Sequence, residues 1–276
     1  ICCTTYNIAG IIETTLDSIL SQKGDFNVEV IIHDDASTDG TRQILKNYKQ
    51  RHPEIFKLIL QDDNQYAEKK ISLGEIFYRH IIPHASGSYI AICDGDDYWT
   101  DEYKLQKQLR FLESNESYAG CFTNALILNE MDGSKRPYLT DLEEGAISDF
   151  QIFIGGGGLY PSSTLFFRKC ALLQTDMYKH IMAYTSDLQS DTAFILALCT
   201  HGRIGYIDEV TSVYRRRSEG LFSSIKDNKQ KLSLRTEHQI AGLKKLFDLV
   251  APHQRQFLKR KISIESYFVL QYGNNL

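Results

Sequence analysis

Short apolar runs alternate with amphipathic stretches through the first 95 residues of the chain. The apolar runs have the length and composition of β-strands and cover residues 1–4, 28–33, 56–60 and 88–93. Between the first two, apolar residues recur at helical spacing, as at Ile12, Leu16 and Ile19, and a helix is predicted at 73–82 between the last two. This alternation predicts a parallel sheet with helices packed on both faces.

Polar residues follow three of these predicted strands. Thr4 and Tyr6 lie at the end of the first strand, Asp34 and Asp35 at the end of the second, and an acidic segment at the end of the fourth. Parallel strands carry their carboxyl ends at one edge of the sheet, and ligands of such sheets bind beyond that edge. We therefore expect these side chains to line one cleft.

The acidic segment, CDGDDYW at residues 93–99, places Asp94, Asp96 and Asp97 directly after an apolar run. Three carboxylates within four residues repel one another unless a cation neutralises them. Mg²⁺ and Mn²⁺ are hard ions that bridge carboxylates to phosphates. Acidic triplets also occur in solvated loops and at helix starts, so metal binding is one of two interpretations at this point.

Composition and charge argue against several other classes of protein. With 31 basic and 35 acidic residues in 276, the chain has no basic nucleic-acid footprint. The basic cluster at 259–261 is compatible with contact to an anionic membrane surface, although a solvated helix face is the commoner meaning. The sequence contains no run of 18 or more apolar residues, so it predicts no helix that would span a bilayer. Six cysteines without metal or disulfide spacing indicate a reducing, cytoplasmic setting.

The pattern loosens after Trp99. We predict helices at 102–112 and 192–200, strands at 120–128, 163–167, 204–207 and 210–214, a polar surface loop at 134–149, a flexible glycine segment at 155–158, and closing helices at 229–249 and 253–272. The second half of the chain is therefore predicted to contain both helices and strands, in a less regular order than the first half.

Several segments, taken in order, resemble the family 2 glycosyltransferases over residues 1–225. The matching segments are TTYN at 4–7, DDASTDGT at 34–41, DGDDYW at 94–99 followed by KLQKQ at 104–108, SS at 162–163, SD at 190–191, and GRIGYID at 202–208 leading into VYR at 213–215. Each segment alone is a weak signal, and their order and spacing together are specific.

The resemblance implies a GT-A fold, which is a Rossmann-like, mostly parallel sheet flanked by helices. Residues 1–98 would bind the nucleotide sugar, residues 99–225 would form the acceptor half, and residues 226–276 would be a C-terminal helical extension. The implied activity is metal-dependent, inverting transfer of a sugar from a nucleotide-sugar donor, favoured as UDP-linked, to a hydroxyl of a glycan or lipid-linked acceptor. Mn²⁺ or Mg²⁺ is the implied cofactor. By analogy, the setting is bacterial surface polysaccharide synthesis, in the cytoplasm or at the inner face of the membrane.

The resemblance also assigns residues to the nucleotide. Tyr6 would stack on the base, and Asp35 would accept a hydrogen bond from a base N–H, with Thr4 and Asp34 beside them in the donor site. The alternative for Asp34 and Asp35 is that they only cap and shape the turn, where Asp is common.

Asp96 and Asp97 match the acidic motif whose carboxylates act on the metal and on the donor ribose. Asp97 and Asp96 are therefore the expected metal ligands, and Asp94 would support them. Trp99 and Ser163 are candidates for the acceptor site, although a large aromatic residue after a strand also suits the core.

Asp191 matches the residue that removes the acceptor proton in inverting members of the family. The alternative is a structural N-cap for the helix that follows, and a helix N-terminus would lower the pKa of the base. Asp187 is the substitute candidate. Arg215, Arg216 and Arg217 lie where the family often has a His or Arg near the diphosphate, and which of the three reaches the phosphates stays open.

Two other classes compete with this interpretation. A sugar-nucleotidyltransferase would need a glycine-rich phosphate loop and a Lys after the first strand, and TTYN at 4–7 provides neither. A non-catalytic nucleotide-sugar-binding module would not need Asp96, Asp97 and Asp191 together. Donor hydrolysis in the presence of Mn²⁺ would separate the enzyme from the module.

Overall fold

The computed structural model describes residues 1–66, 71–140, 145–147, 160–173, 190–218, 229–248, 250, 252 and 254–273. Its strands are β1 (Cys2–Thr5), β2 (Val30–Asp34), β3 (Phe56–Leu60), β4 (Tyr89–Ala91), β5 (Tyr98–Trp99), β6 (Tyr118–Asn129), β7 (Lys135–Pro137), β8 (Gly145–Ile147), β9 (Phe166–Arg168) and β10 (Arg203–Arg216). Its helices are α1 (Ile12–Leu20), α2 (Thr41–Arg51), α3 (Leu73–Ile76), α4 (Lys104–Glu113), α5 (Lys169–Leu173), α6 (Ser190–His201), α7 (Lys229–Lys245) and α8 (Arg255–Gly273).

A parallel sheet forms the first half of the fold. Strands β1, β2 and β3 pair in that order, all parallel, and a parallel bridge between Cys2 and Ile92 joins β1 to the chain that continues β4. Side chains alternate across the sheet, so Cys2 and Ile31 enter one core cluster while Cys3 and Ile32 enter the other. The predicted α/β fold, with a parallel sheet between layers of helices, is confirmed.

The second half is a mixed sheet with the order β4-β9-β6-β10-β5, in which β7 pairs with β6 and β8 with β10. The prediction of separate strands at 204–207 and 210–214 was wrong, because β10 is one strand with register shifts on either side of Val210. The prediction of a polar loop at 134–149 was also wrong where the structure describes it. Strands β7 and β8 lie there, and such short edge strands need little apolar sequence to pair through their backbones.

Two further boundaries differ from the sequence prediction. The helix expected at 73–82 is α-helical only in α3, then continues as a π-helix at Phe77–Ile81 and a 3₁₀ turn at Ile82–His84, where Pro83 lacks an amide hydrogen. The strand expected at 163–167 begins as a 3₁₀ turn, Ser162–Thr164, and pairs only from β9 onward. The glycine segment at 155–158 lies outside the described residues.

The C-terminal helices pack onto the same core as α6. Leu243 and Leu246, at the end of α7 and just after it, and Leu258 of α8 belong to one buried cluster with Ile195 and Leu196 of α6. The helical extension is therefore anchored beside the helix that carries Asp191. Among the helices that the structure describes, none is both long enough and apolar enough to cross a bilayer.

Candidate active site

The loops that follow β1 and β2 are bound to each other at the edge of the sheet. The backbone N–H of Asn7 donates to Ser37 Oγ at 2.9 Å, and the N–H of Thr38 donates to Asn7 Oδ1 at 2.8 Å. Asn7 and Ala36 have φ angles of 49° and 65°, in the left-handed region that an Ala adopts only when its surroundings require it. The two strand ends are thus fixed as one rigid rim.

Asp34 is fully buried and its carboxylate is fully occupied. Oδ1 accepts from Arg42 Nε at 2.7 Å and from the Ser37 N–H at 3.1 Å, and Oδ2 accepts from Thr5 Oγ1 at 3.1 Å and Ser37 Oγ at 2.5 Å. Four donors fill the acceptor capacity of a carboxylate. This geometry favours the turn-shaping alternative for Asp34.

Asp35 forms hydrogen bonds with residues 64–66, a contact that the sequence did not predict. Its Oδ1 accepts from the backbone N–H of Gln65 at 2.7 Å, its Oδ2 accepts from the N–H of Tyr66 at 3.0 Å, and its carbonyl accepts from Asn64 Nδ2 at 3.2 Å. Acceptor capacity remains on both carboxylate oxygens. Tyr6 is 50% exposed at the neighbouring strand end, so an aromatic face is available on the same rim.

The acidic turn is anchored to the first strand. Thr4 Oγ1 donates to Asp94 Oδ1 at 3.1 Å, and the N–H of Gly95 donates to the Thr4 carbonyl at 3.0 Å. The hydroxyl of Ser162 donates to the other carboxylate oxygen, Asp94 Oδ2. A Cβ on Gly95 would lie 2.9 Å from the backbone carbonyl oxygen of Thr4, so the close approach of the acidic turn to β1 requires glycine.

The carboxylates of this turn are crowded and poorly solvated. Burial raises the pKa of Asp96 to about 6, with a further rise from Asp94, while Arg217 and Arg215 oppose the shift. Burial, then the charges of Asp96 and Asp94, raises the pKa of Asp97 well above its ordinary value. Both shifts report negative charge that lacks compensation, which is the condition that a bound cation relieves.

The carboxylates of the acidic turn also suit a divalent ion that is bound partly by the protein and partly by a ligand. Within the described residues no group of three Asp, Glu, His or Cys side chains converges on one point. Mg²⁺-type sites need only one or two protein carboxylates when substrate phosphates supply the other oxygens. Asp96 and Asp97 therefore fit an ion that binds together with a diphosphate, and they do not form a complete protein cage.

Two of the three arginines at the end of β10 act on the acidic turn. Arg215 and Arg217 both pair with Glu130, at 3.0 Å and 3.7 Å, and both lower the pKa of Asp96. The guanidinium of Arg215 also lies 4.7 Å from the centre of the Tyr98 ring. This placement supports Arg215 and Arg217 as the diphosphate contacts.

Trp99 and Ser163 lie in the core beneath the turn. Trp99 is 4% exposed and donates from Nε1 to the Ser163 carbonyl at 2.8 Å, and Ser163 is fully buried. Burial of both residues favours the core alternative over direct contact with an acceptor.

Asp191 is the second residue of α6. Its side chain and the whole of Asp187 lie outside the described residues, so the choice between base and N-cap stays a prediction. The helix itself follows the sequence expectation and ends before Gly202, whose N–H donates to the Leu198 carbonyl at 3.0 Å.

The parallel sheet, with an acidic turn at its carboxyl edge, has the GT-A fold. The family model described as Glycosyl transferase family 2 matches residues 1–181, and the chain belongs to that family.

Two curated relatives are similar in sequence. An uncharacterized Mycobacterium tuberculosis protein, Rv1520, is 28% identical over 260 residues, which cover 91% of this chain and 68% of the relative. WfaP of Escherichia coli, a UDP-Glc:alpha-D-GlcNAc-diphosphoundecaprenol beta-1,3-glucosyltransferase, is 34% identical over 114 residues, or 41% of this chain and 40% of the relative.

Two solved structures share the fold. Staphylococcus aureus TarS (residues 1–349), in complex with UDP-GlcNAc, matches with a TM-score of 0.71 and 20% identity, covering 95% of this chain and 70% of TarS. The mannosyltransferase PcManGT from Pyrobaculum calidifontis, in complex with GDP-Man and Mn²⁺, matches with a TM-score of 0.53 and 15% identity, covering 96% and 74%.

Proposed function

We propose that this glycosyltransferase is metal-dependent and inverting, and that it moves a sugar from a UDP-linked donor to an acceptor hydroxyl. The observation that carries the proposal is the hydrogen bond from the Arg215 N–H to Asp97, which joins the arginines at the end of β10 to the crowded Asp96 and Asp97 carboxylates at one sheet edge. The site is thus divided into anionic and cationic parts, as a nucleoside diphosphate with a divalent ion requires.

Asp96 and Asp97 would hold Mn²⁺ or Mg²⁺, and the ion would neutralise charge on the leaving diphosphate. Arg215 and Arg217 add positive charge on the same side. In the transfer, the acceptor oxygen bonds to the anomeric carbon as the bond from that carbon to the phosphate oxygen breaks, which inverts the configuration. Asp191 takes the proton of the acceptor hydroxyl, and the nucleoside diphosphate leaves with the electron pair of the broken bond.

Tyr6 and Asp35 read the base in this account. The exposed Tyr6 ring offers a stacking face, and Asp35 keeps acceptor capacity beyond its bonds to Gln65 and Tyr66. Thr4 and Asp34 complete the donor site by fixing the strand ends. The TarS complex with UDP-GlcNAc shows that a related fold accommodates a UDP-sugar, which supports the choice of UDP.

The acceptor is a glycan or a lipid-linked glycan of surface polysaccharide synthesis, by analogy with WfaP. A peripheral membrane contact would suit such an acceptor. Residues 226–276 hold ten basic and four acidic residues in a chain with 31 and 35, and the exposed basic residues there include Lys244, Lys245, Lys259 and Arg260. Sedimentation with anionic and neutral vesicles tests this location at the inner membrane face, because only the anionic vesicles should retain the protein at low salt.

A direct assay tests the proposed function. The purified protein is incubated with UDP-sugars, with Mn²⁺ or EDTA, and release of UDP and the anomeric configuration of the product are followed by NMR. UDP release that needs the metal, with inversion at the anomeric carbon, supports the proposal. If the protein binds UDP but neither transfers the sugar nor hydrolyses the donor, the chain is the non-catalytic module instead.

A further inference from the structure

A polar network beneath the acidic turn has no part in the proposed chemistry. Lys104 and Gln108 lie one turn apart on α4, both are fully buried, and Lys104 Nζ donates to Gln108 Oε1 at 2.6 Å. The same ammonium lies 4.5 Å from the centre of the Trp99 ring, and burial lowers the pKa of Lys104 to about 8. Burying an ammonium in the core is costly, and an apolar side chain of similar volume would avoid that cost.

Two side chains beneath the acidic turn donate hydrogen bonds to neighbouring carbonyls of the short turn Ser162–Thr164. Gln108 Nε2 donates to the Thr164 carbonyl at 2.8 Å, and Trp99 Nε1 donates to the Ser163 carbonyl at 2.8 Å. Because an ammonium can only donate and a carbonyl can only accept, Lys104 and Thr164 together fix which way the Gln108 amide points. Lys104 therefore acts on the bond from Gln108 to the Thr164 carbonyl through the Gln108 amide.

The turn held by this network, Ser162–Thr164, contacts the acidic turn through Ser162. The hydroxyl of Ser162 donates a hydrogen bond to Asp94. We propose that Lys104 and Gln108 are positioning residues for the donor site, which hold the Ser162–Thr164 turn against the acidic turn. The inference rests on the proposed function, because it assumes that Asp97 and Asp96 bind the donor with a metal.

Two substitutions break the network at different links. Lys104→Met keeps the packing volume and removes the ammonium, so Oε1 of Gln108 loses its donor and only the Thr164 carbonyl still holds the amide. Gln108→Glu still accepts from Lys104 but has no N–H for the Thr164 carbonyl. Lys107→Met is the matched control, since Lys107 lies on the same helix and pairs at the surface with Asp101 and Glu209.

Trp99 is the only tryptophan in the sequence, so its fluorescence reports whether the turn stays docked without any reference to activity. Acrylamide quenching, the melting temperature and calorimetric UDP affinity with Mn²⁺ are measured for all four proteins. We expect both network variants to fold, to show stronger quenching of Trp99, and to lose UDP affinity by roughly 10-fold or more, as supporting residues of metal sites do. The Lys107→Met protein should match the wild type in quenching and affinity.

Folded variants with wild-type UDP affinity would overturn the inference, whether or not the quenching changes. Should Lys104→Met fail to fold, Gln108→Glu decides, because it keeps the Lys104 partner in place. A wild-type protein that binds no UDP with Mn²⁺ would instead refute the proposed function, and the inference would fall with it. Loss of affinity in the control as well would show that any change on α4 disturbs the site, and this would also contradict the specific role.

Discussion

The backbone N–H of Arg215 donates to Oδ1 of Asp97 at 3.1 Å, across a separation of 118 residues in the chain. This bond ties the end of β10 to the acidic turn and places Arg215 and Arg217 near enough for their positive charges to oppose the raised pKa of Asp96. Because the donor is a backbone group, the tie itself does not depend on the side chain at position 215. An Arg215→Gln variant should therefore keep the fold while losing the charge.

Asp35→Ala tests base reading. We expect UDP affinity to fall by about 1.5–3 kcal/mol, the range for a charge-assisted hydrogen bond. Since Asp35 also holds the N–H groups of Gln65 and Tyr66, calorimetry with pyrophosphate and Mn²⁺ serves as the control. Loss of UDP affinity alone supports base reading, whereas equal loss for pyrophosphate would show that Asp35 only shapes the rim.

Asp34→Ala should act on stability. Removing the carboxylate leaves Arg42 unpaired and takes the acceptor from Thr5 and Ser37, so the free energy of unfolding should fall by about 3–5 kcal/mol. Urea denaturation measures this change, with Asp62→Ala at an exposed site as the control. A stable Asp34→Ala protein with weakened UDP binding would return Asp34 to direct contact with the donor.

His33 predicts a loss of stability on acidification. Burial lowers its pKa to about 4, and this effect outweighs the attraction of Asp35. The folded state thus keeps His33 neutral, while the unfolded chain binds a proton near the ordinary histidine pKa of about 6.5. Stability should therefore fall as the pH drops from about 6.5 towards 4.

Urea midpoints at pH 7.5 and pH 5 for wild type and His33→Asn check this account. The variant should lose less stability between the two pH values than the wild type does. His84→Asn, at an exposed histidine, should behave as the wild type. Identical pH dependence in all three proteins would mean that another group controls the acid sensitivity.

Asp191→Asn separates the base from the N-cap. Asn can still cap a helix, so folding should survive, while loss of proton abstraction should lower turnover by roughly 10²–10⁴-fold with donor binding nearly unchanged. Asp191→Ala should in addition lose about 1 kcal/mol of stability if the residue caps α6. An active and stable Asp191→Asn enzyme would move the role of base to Asp187.

The strand ends that carry Thr4, Asp35 and Asp97 could be placed from the sequence. Apolar strands alternating with helices restrict the topology to a parallel sheet, and parallel strands end at a common edge. The contacts of Ser162 and Arg215 with that edge could not be placed. They depend on the pairing of β4 with β9 and of β6 with β10, whose local sequences do not specify a partner.

The burial of individual polar side chains could not be predicted from the sequence either. Lys104 reads as a surface residue of an amphipathic helix, and Asp34 reads like its neighbour Asp35. The structure separates them, because Lys104 faces the core and Asp34 has all four acceptor positions filled. Such assignments depend on which side chains approach from distant segments, and no local pattern records that.

Calorimetric titration of UDP into the wild type and Asp97→Asn, each with Mn²⁺ and with EDTA, tests the central claim most directly. The account predicts that UDP affinity of the wild type falls at least about tenfold, or roughly 1.4 kcal/mol, when the metal is removed. The variant should show weak binding in both conditions, because Asn removes a charge that the ion needs. Equal UDP affinity of the wild type with and without metal would contradict the account.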